Sequence, residues 1–198
     1  GEMFSSYRAK AFASQADGWI EVRPDEISQN MDSKRVPITK GDRVAGEYPY
    51  YGASGIVDYV ADYIFDGDSL LVSEDGANLL ARSTPIAFSV SGKYWVNNHA
   101  HILKFPDMGT QRYVEHYLES IPLDQYVTGV AQPKLTQKAL NSIPIPIPAA
   151  AEDRAEIVRR LDAVKEETDS LGEIYRRKLS ALDNLQKSLL HHAFSGQL

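Results

Sequence analysis

Apolar residues follow two different periods along the chain. Between Gly18 and Phe105 they come in short runs, WIEV, IVDYV, YIF, SLLVS, PIAFSV, YWV and HILKF, separated by Gly, Asp, Asn and Pro. Short runs rich in Val, Ile, Tyr and Phe between turn residues predict β-strands. Asp66-Gly67 and Ser91-Gly92 read as hairpin turns, and Gly52 and Gly55 bracket a loop in YYGASG. A helix over Gln111 to Ile121 would place Val114, Tyr117, Leu118 and Ile121 on one face. Thr136 is a suitable N-cap for a very short helix in QKALN.

Over residues 152–194 the period lengthens to that of a helix. Ile157, Leu161, Val164, Leu171, Tyr175, Leu179, Leu182, Leu185 and Leu189 lie three, four or seven apart, a stripe of coiled-coil type. The successive four-residue steps at Leu171, Tyr175 and Leu179 resemble a stutter, which unwinds a supercoil locally. Asp153 and Glu156 suit the positive end of the helix dipole, and Gly196 suits a stop. At about 1.5 Å per residue the rod is roughly 65 Å long, whereas a domain of some 150 residues has a radius of gyration of only about 15 Å. Much of the stripe must therefore find its partner outside its own domain. Between the two regions lies NSIPIPIP, residues 141–148. Each proline removes a backbone donor and pushes its predecessor toward extended geometry. The segment is thus expected to be a stiff extended spacer, excluded from the centre of a sheet, whose isoleucines can pack on the domain. The expected fold class is α+β: an N-terminal segment (1–17), a strand-rich globular domain (18–148) and one long helix (152–194).

Composition narrows the chemistry. With 198 residues, 43% of them hydrophobic, the chain can build one sizeable core. No apolar run approaches the length of a membrane span, and GEMFSSYRAKAFASQ lacks the apolar centre of a secretory signal. Zero cysteines remove disulfides, thiolate metal sites and cysteine nucleophiles. A cytoplasmic location is expected. The net charge is −6, with no basic excess in either region, so any DNA binding needs local patches or a basic partner.

Catalytic signals are weak. There is no GxxxxGK[ST], GxGxxG or GxSxG. Asp58, Asp62, Asp66, Asp68, Glu74 and Asp75 could suggest a metal-dependent nuclease, but no lysine follows Glu74 or Asp75 at close spacing, and turn and edge roles account for these residues. His99 and His101 would share a strand face as a pair of metal ligands, yet no third ligand is evident. His191 and His192 read as polar residues of a helix end. No metal and no cofactor are expected on this chain. Two loops instead suit base and phosphate contacts: YYGASG, with aromatic and hydroxyl groups on a flexible turn, and QPKLTQK, with amides and lysines stiffened by Pro133.

Taken in order, YPYYGASGIVDYV, FDGDSLLVSEDGAN, WVNNHAHIL, GVAQPKLTQKALNSIPIPIP and the final LQKSLLHHAFSGQL resemble the specificity (S) subunit of type I restriction-modification systems. The likeness covers nearly the whole chain. It implies a target recognition domain followed by a spacer helix, in a subunit that does no chemistry. Such a subunit reads double-stranded DNA and docks methyltransferase (M) subunits, which carry S-adenosylmethionine, in a complex that can recruit a restriction (R) subunit. Complete S subunits hold two recognition domains and two antiparallel spacer helices, whereas this chain has one of each, so it resembles a half subunit. A homodimer with antiparallel rods would restore the pair, and two-fold symmetry then implies inverted half-sites with an unread spacer. The expected DNA contacts are Lys34, Arg35, Tyr51, Ser54, Arg82 and Lys134. SEDGAN and NNHAH are expected to be mainly structural. The expected dimer interface is Ile157, Leu161, Val164, Leu171, Tyr175, Leu179, Leu182 and Leu189. Two other readings remain open: a coiled-coil scaffold or anti-restriction protein that occupies M without reading DNA, and the metal-dependent nuclease.

Overall fold

The computed structural model describes residues 2–13, 18–129 and 131–195; Gly196 lies outside them. In chain order the elements are α1 (Glu2–Ala13), β1 (Trp19–Val22), α2 (Pro24–Ile27), β2 (Gln29–Asn30), β3 (Ala45–Gly52), β4 (Gly55–Val60), β5 (Phe65–Asp66), β6 (Ser69–Ser73), α3 (Asn78–Ala81), β7 (Ala87–Val90), β8 (Lys93–Val96), β9 (Ala100–Lys104), α4 (Met108–Ser120), α5 (Gln137–Leu140), β10 (Ile145–Pro148) and α6 (Ala151–Phe194). The fold is α+β, a strand-rich domain followed by one long helix.

β6 is the axis of the domain. All five of its residues are buried, and it sits inside an antiparallel sheet of order β2-β9-β6-β7. Because successive side chains on a strand point to opposite faces, Leu70 and Val72 enter one core while Leu71 enters another. The larger core lies under α1, α4 and the root of α6. The smaller one, including Phe65, Tyr94, Val96 and Ile102, lies against a second sheet of order β4-β3-β8-β5, in which only β3 and β8 run parallel.

Asp66-Gly67 and Ser91-Gly92 are not hairpin turns. β5 pairs with β8 (Phe65 opposite Tyr94), β6 pairs with β7 (Ser69 opposite Val90), and the Gly67 N–H donates to the Gly92 carbonyl at 2.9 Å between the two ladders. The four strands are one antiparallel ribbon in unbroken register. Both glycines hold positive φ, +109° and +78°, a conformation that bends the ribbon where they face each other and sends its two halves into different sheets.

The Ile-Pro segment forms β10, paired only with β1 in a two-stranded sheet. Ile143, Ile145 and Ile147 are buried in the larger core. The alternate residues act through their carbonyls: Pro144 accepts from the Tyr117 hydroxyl at 2.8 Å, Pro146 from the Tyr113 hydroxyl at 2.6 Å, and Pro148 from Arg154 Nη1 at 2.8 Å. One face of the repeat thus fills the core while its carbonyls bind α4 and the start of α6. It is a rail that sets where the long helix leaves.

α4 begins at Asp107, whose Oδ1 accepts from the Thr110 N–H at 2.7 Å, and Thr136 caps α5 through Ala139 N–H at 3.2 Å. α1 was not expected. Its Phe4 and Phe12 are buried against α4, Phe12 packing edge-on to Tyr113 and Tyr117.

α6 runs 44 residues and changes character along its length. Near its root, Asp162 accepts from His116 Nε2 at 2.9 Å and from Arg112 Nη2 at 2.5 Å, bolting the helix to α4. Leu161 is buried, with Ile157 and Val164 half-buried against the same core. These three were expected at a dimer interface; their own domain covers them instead, because the α4–α6 crossing falls on that stretch. From Leu171 outward the stripe is exposed at Leu171, Tyr175, Leu179, Leu182 and Leu189, and Phe194 is 89% exposed.

Candidate nucleic-acid interface

Five chain segments converge where β6 ends. Ser73 Oγ donates to the Ala53 carbonyl, fastening the tip of the β3–β4 hairpin. Glu74 accepts from Arg35 Nη1 at 2.7 Å and pairs with Lys134 Nζ at 3.1 Å, so one carboxylate holds two separate loops. The Glu74 N–H donates to the His99 carbonyl, its own carbonyl accepts from Leu135 N–H, and Gly76 N–H donates to the Pro133 carbonyl. Asp75 contacts His99 Nδ1 at 2.9 Å.

Beneath this surface Asp32 and His101 form the rigid floor. Asp32 accepts from Ile102 N–H at 2.8 Å and lies 2.5 Å from His101 Nδ1, while His101 Nε2 lies 2.8 Å from the Leu135 carbonyl oxygen. Burial opposes charge on Asp32, but the bonds from His101 and Ile102 outweigh it and hold the carboxyl below its ordinary value. Glu74 behaves likewise: burial pushes its pKa up, and Arg35 and Lys134 bring it down further. Asp32, Glu74 and His101 bring potential ligand atoms within 4.8 Å of one another. A metal ligand needs a free lone pair, however, and both His101 nitrogens already face acceptors, while Arg35 and Lys134 supply the countercharge. Glu74 is thus held by Arg35 and Lys134, and Asp75 faces His99 Nδ1, so both carboxylates of SEDGAN have a partner within the frame.

The residues expected to contact DNA fall into three groups. Lys34, in a 3₁₀ turn over Asp32–Lys34, and Ser54, at the hairpin tip, are exposed, and Lys134 is half-exposed beside Glu74. These three lie on segments tied to the β6 end. Tyr51 is half-buried, its ring against Phe88 and Tyr94 in the smaller core, which makes it a support for the hairpin. At Gly52 beside it a Cβ would stand 2.9 Å from Val57 Cγ1 and 3.3 Å from Asn97 Nδ2, so a larger residue there would have to displace the Val57 side chain.

Arg35 and Arg82, expected as DNA contacts, are engaged inward. Arg35 is 14% exposed, donating to Glu74, to the Ala100 carbonyl at 2.7 Å and to the Asp32 carbonyl at 3.1 Å. Arg82 holds a left-handed backbone (φ +51°), and its guanidinium donates to the Ile121 carbonyl at 2.6 Å and the Leu118 carbonyl at 3.3 Å. It satisfies the carbonyls left open at the end of α4. SEDGAN and NNHAH supply the frame: Asn97 Oδ1 accepts from His99 N–H, and Glu74 and Asp75 carry the pairs above. Sequence reasoning did not single out Asp32, whose signal was its place two residues before Lys34 in a polar turn.

The chain is similar to known proteins over most of its length. A family model described as the type I restriction modification DNA specificity domain matches residues 16–177. A putative type I restriction enzyme specificity subunit of Haemophilus influenzae is 34% identical over 187 residues, 85% of this chain and 48% of that protein. The EcoprrI specificity subunit of Escherichia coli is 28% identical over 137 residues, 69% of this chain and 33% of that protein. The chain thus spans about half, or less, of the curated relatives it matches. Among solved structures, a chain from a type I restriction-modification system superposes with a TM-score of 0.77 at 17% identity, covering 99% of this chain and 52% of that one. The HsdS subunit of Thermoanaerobacter tengcongensis superposes with a TM-score of 0.64, also at 17% identity, covering 100% and 52%. At that identity the superpositions speak for the fold.

Proposed function

We infer the function from a fixed premise, that the chain belongs to the type I restriction-modification DNA specificity family: it reads one half of a bipartite DNA target and carries out no chemistry itself. The observation that carries this reading is the convergence of the hairpin tip, the Asp32–Lys34 turn and the Lys134 loop on the end of β6, the first held by the Ser73–Ala53 hydrogen bond and the other two by the ion pairs of Glu74 with Arg35 and Lys134. Rigid loops with exposed Lys34, Ser54 and Lys134 suit a groove edge, where lysines meet phosphates or guanine and a hydroxyl serves either donor or acceptor.

The rest of the assembly follows from the exposed stripe and the charge. Two copies pair through α6 antiparallel, using Leu171, Tyr175, Leu179, Leu182 and Leu189, and hold their domains at opposite ends. Methyltransferase subunits carrying S-adenosylmethionine dock on this frame, an R subunit can join it, and the positive potential that a chain of charge −6 lacks comes from these partners. The cytoplasm, where the DNA is, is the compartment this requires. The test is co-expression with the cognate M subunit and selection from a randomised duplex pool. An inverted, bipartite motif is expected. A complex that forms yet selects no sequence would instead make the chain a scaffold.

A further inference from the structure

The tip of the β3–β4 hairpin carries little polar chemistry for a surface that meets DNA. Between Ala53 and Val57 the exposed side chains are Ser54, Ile56 and Val57, and the last two are large and apolar, 47% and 54% exposed. Their positions are fixed from behind. Ser73 Oγ donates to the Ala53 carbonyl, Asn97 N–H donates to the Tyr51 carbonyl at 3.0 Å, and the Tyr51 ring packs on Phe88 and Tyr94. Ile56 lies opposite Tyr51, whereas Val57 falls at a break in register, since Tyr50 is already opposite Asp58. A bulge of this kind re-aims the side chain it carries. β4 is also the edge strand of its sheet, which leaves this corner of the domain open.

We propose that this tip enters the major groove and that Ile56 and Val57 pack on thymine C5-methyl groups, so that each half-site holds at least one A·T pair read by its methyl. The inference rests on the DNA reading proposed above and names the base chemistry it uses. The major groove, about 12 Å wide, admits a two-stranded β-ribbon. Its base edges present donors and acceptors, and the one apolar group among them is the thymine methyl. Isoleucine and valine offer no hydrogen bond. Pressed on any other base edge they would strip water from a donor or acceptor and leave it unpaired, whereas on a methyl group they bury apolar surface on both sides. Charge favours the same occupant. Lys34 and Lys134 stand exposed on segments tied to the same end of β6 as the tip, within reach of the phosphates that border a groove. Ser54, beside the apolar pair, is left to read a neighbouring donor or acceptor.

Replacing thymine by uracil makes the test direct, because it removes one methyl and keeps every base-pairing group. The complex of the full chain with M is first used to select its motif, and each thymine of that motif and of the spacer is then replaced singly by deoxyuridine. Affinity should fall about fourfold for each methyl lost at one or two half-site positions, and stay unchanged at spacer thymines. The double variant Ile56→Ser, Val57→Ser, with its unfolding midpoint checked against the parent, should bind thymine and uracil duplexes equally at those positions. A half-site without thymine, or one that tolerates uracil throughout, overturns the inference on the parent chain alone. Methyl sensitivity that persists in the double variant overturns it as well and gives the contact to another group. Each of these results leaves the DNA reading intact, since a motif has been selected. A complex that selects no motif brings down both.

Discussion

Arg82 and His116 show what single side chains do for the frame behind the proposed interface. Arg82 donates two charge-assisted bonds to the end of α4, so Arg82→Ala should cost on the order of 2 kcal/mol by denaturant unfolding, while the sequence selected with M stays the same; a changed motif would return Arg82 to the DNA. His116, 3% exposed, gives a pH signature. Burial, foremost, holds its pKa below the ordinary 6.5, with Arg112 acting in the same direction and Asp162 and Glu115 opposing. Below 6.5 the unfolded chain takes up a proton that the folded one resists, so stability present above that pH is lost as it falls. The depressed carboxyls of Asp32 and Glu74 act lower, their contribution being lost only as pH falls through and below the ordinary 3.8 and 4.5. Thermal unfolding should thus lose stability in two steps on acidification, and His116→Gln, which keeps an N–H for Asp162, should flatten the first between pH 7 and about 5. An unchanged first step would assign it to another group. At this scale the sequence showed which residues carry charge but not what they face. Lys34, Ser54 and Lys134 do reach the surface, whereas the inward turn of Arg35 and Arg82 depends on Glu74 and the end of α4, 39 positions away from each.

α6 shows an element whose periodicity was plain and whose partners were not. One apolar stripe runs its whole length, so Leu161 and Leu182 are indistinguishable by spacing, yet the first is 1% exposed and the second 62%. Opposite results should follow from changing them. Leu161→Ala opens a void in the larger core and should destabilise the folded domain by about 2–5 kcal/mol. Leu182→Asp should leave the domain's unfolding midpoint unchanged at concentrations where the chain is monomeric, and abolish dimers in sedimentation at concentrations where the parent pairs. If Leu182→Asp left dimers intact, the exposed half of the stripe would have another occupant. The strand-rich domain, the α4 region, the Thr136 cap and the long helix were legible because period and capping are local properties. The paired glycines were misread for the complementary reason. A glycine in a polar pair looks the same in a hairpin turn and in a bend between sheets, and only the register of β5–β8 continuing that of β6–β7 tells them apart. α1 escaped notice although Phe4, Tyr7, Ala11 and Phe12 recur at helical spacing, because polar Ser5, Ser6, Arg8 and Lys10 separate them.

At the scale of the whole molecule, the proposed pairing makes α6 the element that sets the distance between two reading surfaces, and length and phase can be varied separately. Seven residues inserted between Leu171 and Leu179 lengthen each rod by about 10 Å while returning the stripe close to its original face. In the proposed antiparallel pair the two domains hang at opposite ends, so their separation should grow by the length of one insertion, about three base pairs of duplex. The half-sites themselves should be untouched, since the insertion lies outside the part of α6 packed against the domain. Five inserted residues turn the later stripe by roughly 140° relative to the earlier one. That change should abolish pairing although the rod is also longer. Selection from randomised duplexes with M reads the first variant as an unchanged motif with a spacer longer by about three base pairs, and sedimentation reads the second as a monomer. If the heptad variant kept the parental spacer, the half-site distance would be set by the M subunits rather than by the helix. If the five-residue variant still paired, the seam would not be the exposed stripe. Since length fails to rescue the wrong phase, the two variants together separate a ruler from a flexible tether.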